Sequence, residues 1–221
     1  MSEGEGERIE VQTRLFPATP DGISEAAVVV RRGGLVAFPT DTVYGVGADA
    51  FQPAAVERIY WAKGRPESKA IPLLLGKTED LSLAAEHVPA AAWTLVERFW
   101  PGALTLVLRA RADLPAAVTA GTGTVAVRLP NHPVALQLIQ SVGVPLAATS
   151  ANRSGQPNAV TAEEVQRELG GRVDVIIDGG RCPGGVPSTV LDLTQAAPRL
   201  LRRGAIATED VERVLGRAIE K

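Results

Sequence analysis

The chain has 221 residues, 45% of them hydrophobic, which suits one large α/β domain or one domain with a small extension. Its 23 Lys+Arg stand against 25 Asp+Glu, a net charge of −2, and this excludes the strongly basic balance of a dedicated nucleic-acid binder. A single cysteine, Cys182, excludes an internal disulfide, and no apolar run reaches the ~18 residues of a membrane span.

Met1 to Arg8 is acidic and Gly-rich, unlike a signal peptide, and reads as a disordered tail. Residues 9–221 then form a single domain, with the cytoplasm as the simplest location. Arg8 to Leu15 reads as an edge strand. Asp21 is placed to cap a helix running to Arg32, with Ile23, Ala26, Ala27 and Val30 on one face and Gly33-Gly34 as the stop. Leu35 to Phe38 is a short buried strand ended by Pro39. Pro53 starts a helix that carries Val56, Ile59, Tyr60 and Lys63 on one stripe and ends at Gly64 and Pro66. Ile71 to Leu75 reads as a strand, followed by a helical stretch containing Trp93 and Trp100. Ala103 to Leu108 and Thr124 to Leu129 are strands. Ala135, Leu138, Ile139 and Val142 mark a helix, and Val144 to Ala148 the strand after it. Ala162, Val165 and Leu169 mark another helix. Val173 to Ile177, Ser188 to Leu193 and Arg199 to Leu201 read as strands, and a last helix carries Val211, Val214, Leu215 and Ile219. Strands outnumber helices and some connections are short. The expected fold is therefore a twisted mixed parallel and antiparallel sheet flanked by helices.

Arg128 is the sharpest clue. It is a cation among Val125, Ala126, Val127 and Leu129, in an apolar strand. A guanidinium buried there needs a counter-charge. A resident carboxylate is one solution and the anion of a ligand is the other.

Other polar groups cluster at strand and helix ends. Pro39-Thr-Asp-Thr42 reads plainly as a turn in which Thr40 or Asp41 caps the next element. It could equally offer hydroxyls to a ligand at a strand end. Gly45-Val-Gly47-Ala-Asp-Ala50 fits a dinucleotide fingerprint by letter, but the nearest helix start, Pro53, comes too late, and we reject it. Lys63, Arg65 and Lys69 surround a helix end, where cations complement the dipole. Lys63, however, lies on the apolar stripe, which favours a phosphate clamp. Ser150 and Asn152 fall on one side of an extended segment, and Gly184-Gly-Val-Pro-Ser188 lets backbone approach a ligand. Trp93, Phe99 and Trp100 read as core, His87 as helical surface, and His132 as a cap. Two histidines and one cysteine make a zinc site or a Cys-His nucleophile poor readings.

Six segments taken in order resemble the YrdC-like family, whose members are threonylcarbamoyl-AMP synthases. They are PTDTVYGVGADA (39–50), KGRP (63–66), VAVRLPNHP (125–133), TSANRSG (149–155), PSTVLDL (187–193) and LLRRGAI (200–206). The match runs from about Ile23 to Ile206, and the chain looks like the short, single-domain form. The resemblance implies a deep, positively charged cleft and a nucleotidyl transfer. L-threonine, bicarbonate (or carbon dioxide) and ATP would give threonylcarbamoyl-AMP and pyrophosphate. A partner transferase complex would then modify an adenosine next to the tRNA anticodon, with weak tRNA contact by this chain left open. The resemblance assigns Thr42, Arg128, Ala148 and Ser188 to threonine. It assigns Lys63, Arg65, Lys69, Thr124, Ser150, Asn152, Asn158 and Arg202 to ATP. Mg²⁺ would arrive on the ATP phosphates with no protein ligand, and no single general base is expected. The run Lys69-Ala-Ile-Pro72, the segment Asn158-Ala-Val-Thr161 and Arg203 depart from the family pattern and bear on Lys69, Asn158 and the register of Arg202.

The alternative is a non-catalytic module binding double-stranded RNA or tRNA, which would bind with a steep salt dependence. A different carbamoyl-transfer enzyme, of the hydrogenase-maturation type, would need further domains.

Overall fold

A computed structural model describes residues 11–184 and 186–220. The expected tail, most of its boundary with the domain, and Gly185 of the glycine-rich approach lie outside them.

The first strand, β1 (Arg14–Pro17), leads into α1 (Pro20–Arg31). The cap of α1 is Thr19, not Asp21. Its hydroxyl accepts from Gly22 N at 3.2 Å, and Pro20 and Asp21 fill the first turn, where a missing N–H and a negative charge are both favoured. Strands β2 (Val36–Phe38) and β3 (Gly45–Asp49) form an antiparallel pair. Helix α2 (Pro53–Lys63) ends on Gly64, which adopts φ 60° and ψ 40°. Then come β4 (Leu73–Leu74), a short α3 (Leu81–Ala84), α4 (Ala90–Phe99) and β5 (Leu104–Arg109). After them run α5 (Ala116–Thr119), β6 (Thr124–Arg128), α6 (Pro133–Val142) and β7 (Leu146–Ser150). The chain finishes with α7 (Ala162–Leu169), β8 (Val175–Asp178), β9 (Thr189–Asp192), β10 (Arg199–Arg202) and α8 (Thr208–Leu215).

All ten strands join one sheet in the order β1-β8-β2-β3-β7-β4-β6-β5-β9-β10. Parallel pairs (β1 with β8, β4 with β6) and antiparallel pairs (β3 with β7, β5 with β6) are mixed through it, as the mixture of long and short connections requires. The expected mixed sheet flanked by helices is therefore observed.

Successive side chains of a strand face opposite sides, and here the two sides have separate cores. Val36, Phe38, Leu74, Leu146, Val175 and Ile177 pack with Ile23, Ala26 and Val30 of α1 and Leu138 and Ile139 of α6. Their neighbours Ala37, Leu73, Ala147 and Ile176 face the larger core, with Val56 and Ile59 of α2, Leu95 of α4 and Val165 of α7. The α1/α6 cover draws its strand partners from β2, β4, β7 and β8, with Phe16 of β1 at its margin. Among the described residues, none of β6, β5 or β9 joins that cover, and a hollow forms on this face of them.

Several expectations need correction. β3 was not anticipated, because Gly-Val-Gly-Ala-Asp has weak strand propensity; its pairing with β2 and β7 forms it. A Cβ at Gly47 would stand 3.1 Å from the Ala147 carbonyl and 3.3 Å from the Phe38 ring, so glycine is what lets the strands and Phe38 pack this closely. Ile219 lies past the end of α8, although it is buried at 6% exposure. Trp93 is on the wet side of α4 at 41% exposure, while Trp100 is buried. His87 is exposed but lies outside any helix. Cys182 is a buried free thiol. Among the described residues no helix is long and apolar enough to cross a membrane.

Candidate functional site

The hollow has a volume of about 350 Å³ and opens beside the α1/α6 cover. Its floor comes from strand parity. Val125 and Val127 turn to the large core, so Ala126 and Arg128 turn to the hollow; Thr105 does the same between Leu104 and Leu106. Val190 of β9 and Ala148 of β7 complete the apolar part. Thr42, Ser150, Asn158, Ser188 and Arg202 add polar groups at the wall.

Arg128 is 8% exposed. Its Nε donates to the Gly102 carbonyl at 2.9 Å, and Nη1 reaches the Thr42 hydroxyl at 3.5 Å. Of the two solutions open for its charge, the resident one is present. Asp41 Oδ1 lies 2.6 Å from Nη2. The contact is close but not aligned, so neither atom makes a proper hydrogen bond. The plain reading of Asp41 as a cap fails. Thr40 makes the turn instead, its hydroxyl accepting from Thr42 N at 3.1 Å and Val43 N at 3.3 Å. That turn leaves the Asp41 side chain free to reach back to β6.

The opposite wall is a hydroxyl chain. Thr105 Oγ1 lies 2.8 Å from Ser188 Oγ. Arg202 Nη2 donates to Ser188 Oγ at 2.9 Å and to its carbonyl at 2.8 Å. Arg202, not Arg203, therefore takes the inward register. Partial desolvation of this otherwise exposed side chain, and then the positive charge of Arg128, lower the Arg202 pKa. A Cβ at Gly204 would fall 2.3 Å from Ser188 C and Thr189 N, so only glycine lets the segment after β10 pass this close to Ser188. Tyr44 also lines the hollow, but its hydroxyl is engaged, donating to the Gly180 carbonyl at 2.8 Å, and burial pushes its pKa up to about 12.

The second cationic group lies behind the wall. Lys63 is 4% exposed, and its Nζ donates to the carbonyls of Ser150 and Asn152. Burial, and next the charge of Arg65, lower its pKa to about 8. Arg65 holds the following loop through the Lys69 carbonyl at 3.2 Å and the Ala70 carbonyl at 2.8 Å. Neither side chain serves the carbonyls at the end of α2 in the way a simple dipole complement would.

Of the residues expected at the site, Thr42, Arg128, Ala148, Ser150, Asn158, Ser188 and Arg202 share the one hollow. Lys63 touches it only through Ser150. Arg65, Lys69, Thr124 and Asn152 do not line it. Asn152 turns its amide to the Arg153 and Gln156 carbonyls at 2.9 and 2.7 Å and so shapes its own loop. Thr124 Oγ1 stands 3.0 Å from Thr122 Oγ1 at the far start of β6, and Lys69 is exposed. His132 stands at the N-cap of α6 without capping it; its pKa is lowered by burial, with Asp41 opposing. Asp41 and Thr105 were missed as site residues. Thr105 had a readable signal, a hydroxyl amid Leu104, Leu106 and Leu108.

A mixed sheet with two guanidiniums and a set of hydroxyls in an uncovered hollow defines an α/β protein whose cleft is chemically suited to a small anion-bearing ligand. A family model for Sua5, YciO and YrdC proteins, described as "Telomere recombination", matches residues 28–204. The chain belongs to that family. It is 48% identical over 209 residues to a Bacillus subtilis threonylcarbamoyl-AMP synthase, covering 94% of this chain and 60% of the relative. It is 47% identical over 191 residues to a Pyrococcus abyssi threonylcarbamoyl-AMP synthase, covering 86% and 56%. A solved structure of P. abyssi Sua5 complexed with L-threonine superposes with a TM-score of 0.90 at 43% identity, over 95% of this chain and 62% of that one. The chain thus spans about three-fifths of the length of these relatives.

Proposed function

We propose that this chain is an L-threonylcarbamoyladenylate synthase, joining L-threonine, bicarbonate (or carbon dioxide) and MgATP with release of pyrophosphate. The names of its relatives and the threonine complex of P. abyssi Sua5 support the reading. The observation that carries it is the seating of Arg128, Thr42 and Ser188 around one hollow of about 350 Å³.

In this reading the Arg128 guanidinium takes the threonine carboxylate through Nη1, the edge turned to Thr42. Thr42 and Ser188 take the remaining polar groups of the amino acid, over the apolar floor at Ala148. The amine captures carbon dioxide as a carbamate, whose oxygen attacks the α-phosphate in line. The substrate supplies its own nucleophile, so the protein contributes position and charge. Ser150, Asn158 and Arg202 line the nucleotide side. Lys63 and Arg65 exchange neutral carbonyl acceptors for phosphate oxygens, which bind a cation more strongly. Lys69, Thr124 and Asn152 are assigned to ATP by family resemblance and reach it only if their loops move. In this reading Mg²⁺ arrives on the ATP phosphates, held by them and by water. Delivery of the product to a transferase complex acting on tRNA, in the cytoplasm, completes the proposal.

The test is pyrophosphate release. Purified protein should convert ATP to pyrophosphate and an adenylate only when threonine and bicarbonate are both present. Equal turnover with serine, or with no amino acid, overturns the proposal.

A further inference from the structure

Among the described residues, three buried side-chain polar atoms lack a hydrogen-bond partner: Asp41 Oδ1, Arg128 Nη2 and His132 Nδ1. Buried polar atoms are nearly always satisfied, so each exception calls for a cause. Two of these three touch, at 2.6 Å. Asp41 does not line the hollow, while Arg128 does. The carboxylate therefore reaches the guanidinium from outside, leaving the inward edge to a ligand. The charged side chains in the lining itself are Arg128 and Arg202, both cations. Without Asp41 the hollow as a whole would carry two positive charges. Such a site attracts dianions and repels an ammonium group. With Asp41 behind the wall it carries one.

We propose that Asp41 is a positioning and specificity-determining residue. It holds Arg128 from behind and cancels enough charge for the hollow to accept a zwitterion with one carboxylate and to reject a second. This rests on the amino-acid site proposed above and adds to it the feature that sets ligand charge. The misaligned contact fits the role. The ion pair at Nη2 supplies charge, and Nη1, with only the long contact to Thr42, stays turned to a ligand. His132 and Cys182 also sense Asp41, and Arg202 senses Arg128, so the carboxylate lies at the centre of the local charge pattern.

The experiment is calorimetric titration, without ATP, of L-threonine, L-aspartate and L-asparagine into the full chain and its Asp41→Asn and Asp41→Glu variants. Aspartate and asparagine share shape and differ in charge. Wild-type protein should prefer threonine to both. Asp41→Asn should shift the aspartate-to-threonine affinity ratio toward aspartate by about tenfold. Its asparagine-to-threonine ratio should stay within about twofold, and Asp41→Glu should stay near wild type. If Asp41→Asn does not fold, Asp41→Ser gives the same readout. Equal shifts for aspartate and asparagine, or no shift, overturn the proposal and leave Asp41 a merely structural partner. Wild-type protein that binds all three amino acids alike, or none, fails earlier and sinks the threonine reading itself.

Discussion

Arg128 and Lys63 are both nearly buried, at 8% and 4% exposure, yet their surroundings differ in kind. Arg128 faces a carboxylate, Asp41, at 2.6 Å. Lys63 donates to carbonyl oxygens, those of Ser150 and Asn152, with the Asn152 side-chain oxygen at 3.4 Å and no carboxylate in contact among the described residues, although the charge of Glu168 still acts on it. A carboxylate cancels a charge, whereas carbonyls solvate it and leave the net charge in place. Under the proposed function, the Arg128 end suits a singly charged group, and Lys63, behind the wall, retains a full charge suited to a polyanion. This is the division of labour that an amino acid beside a nucleoside triphosphate requires.

The largest effect should come from removing the neutralised cation. Arg128→Ala deletes the proposed carboxylate anchor and takes away the guanidinium paired with Asp41. Truncating one partner of such a pair costs about 3 kcal/mol. Threonine-dependent kcat/KM should fall about 100-fold or more, while circular dichroism stays native. Arg128→Lys should rescue little, since an ammonium cannot span Gly102, Thr42 and Asp41 together. Full activity in Arg128→Ala would remove one side of the comparison.

The carbonyl-solvated end should respond differently, through ATP and through pH. Lys63→Met should raise the KM for ATP about 10- to 100-fold and change threonine affinity little. The pH sign follows from a folded pKa of about 8 against an ordinary 10.5. Below pH 8 the lysine is charged in both folded and unfolded chains, and its burial penalty is fully present. Between 8 and 10.5 the unfolded chain binds more protons, so this group's contribution to stability rises. Over the same range the free protein loses the Lys63 cation, and kcat/KM for ATP should fall as pH rises through about 8. The Met variant should lack both limbs. Thermal melts at pH 7 and 10, with initial rates across the range, check the pair of signs.

How much of this was legible in the chain is uneven, for physical reasons. Arg128 and Lys63 stood out because each breaks an apolar pattern locally, one in a strand and one on a helical stripe. The mixed sheet followed from element lengths and connections. β3 stayed hidden because its glycines carry no strand signal, and only the pairing of Gly45 with Ser150 and Phe38 reveals why they are there. The Asp41 contact was unreadable for a deeper reason. It joins residues 87 positions apart, and the local signal at Pro39-Thr-Asp-Thr42 is that of an ordinary turn. Sequence reading named a resident carboxylate as one solution for Arg128, but had no means of saying which. Conversely, Asn152 looked like a ligand group by its spacing from Ser150, and the structure spends its amide on the loop it sits in.

The smallest effect sharpens the comparison on the neutral wall between the two cations. Thr105 Oγ1 has Ser188 Oγ as its partner at 2.8 Å, and Ser188 Oγ already accepts from Arg202 at 2.9 Å. A serine hydroxyl has one proton and two lone pairs. If Thr105 donates, both lone pairs are used and the serine proton is free to point at a ligand carboxylate. If Thr105 accepts, the serine keeps one lone pair for a ligand ammonium or hydroxyl. In both cases Thr105 sets which face Ser188 shows to the hollow. Thr105→Val removes that control and leaves the Arg202 bond in place. A single neutral hydrogen bond is worth about 1 kcal/mol, so threonine KM should rise about fivefold with kcat nearly unchanged. Thr105→Ser keeps the hydroxyl and should restore KM while losing a little stability to the missing methyl. A Val variant with wild-type KM and a lowered melting temperature would reduce Thr105 to packing, and Ser188 would then be held by Arg202 alone.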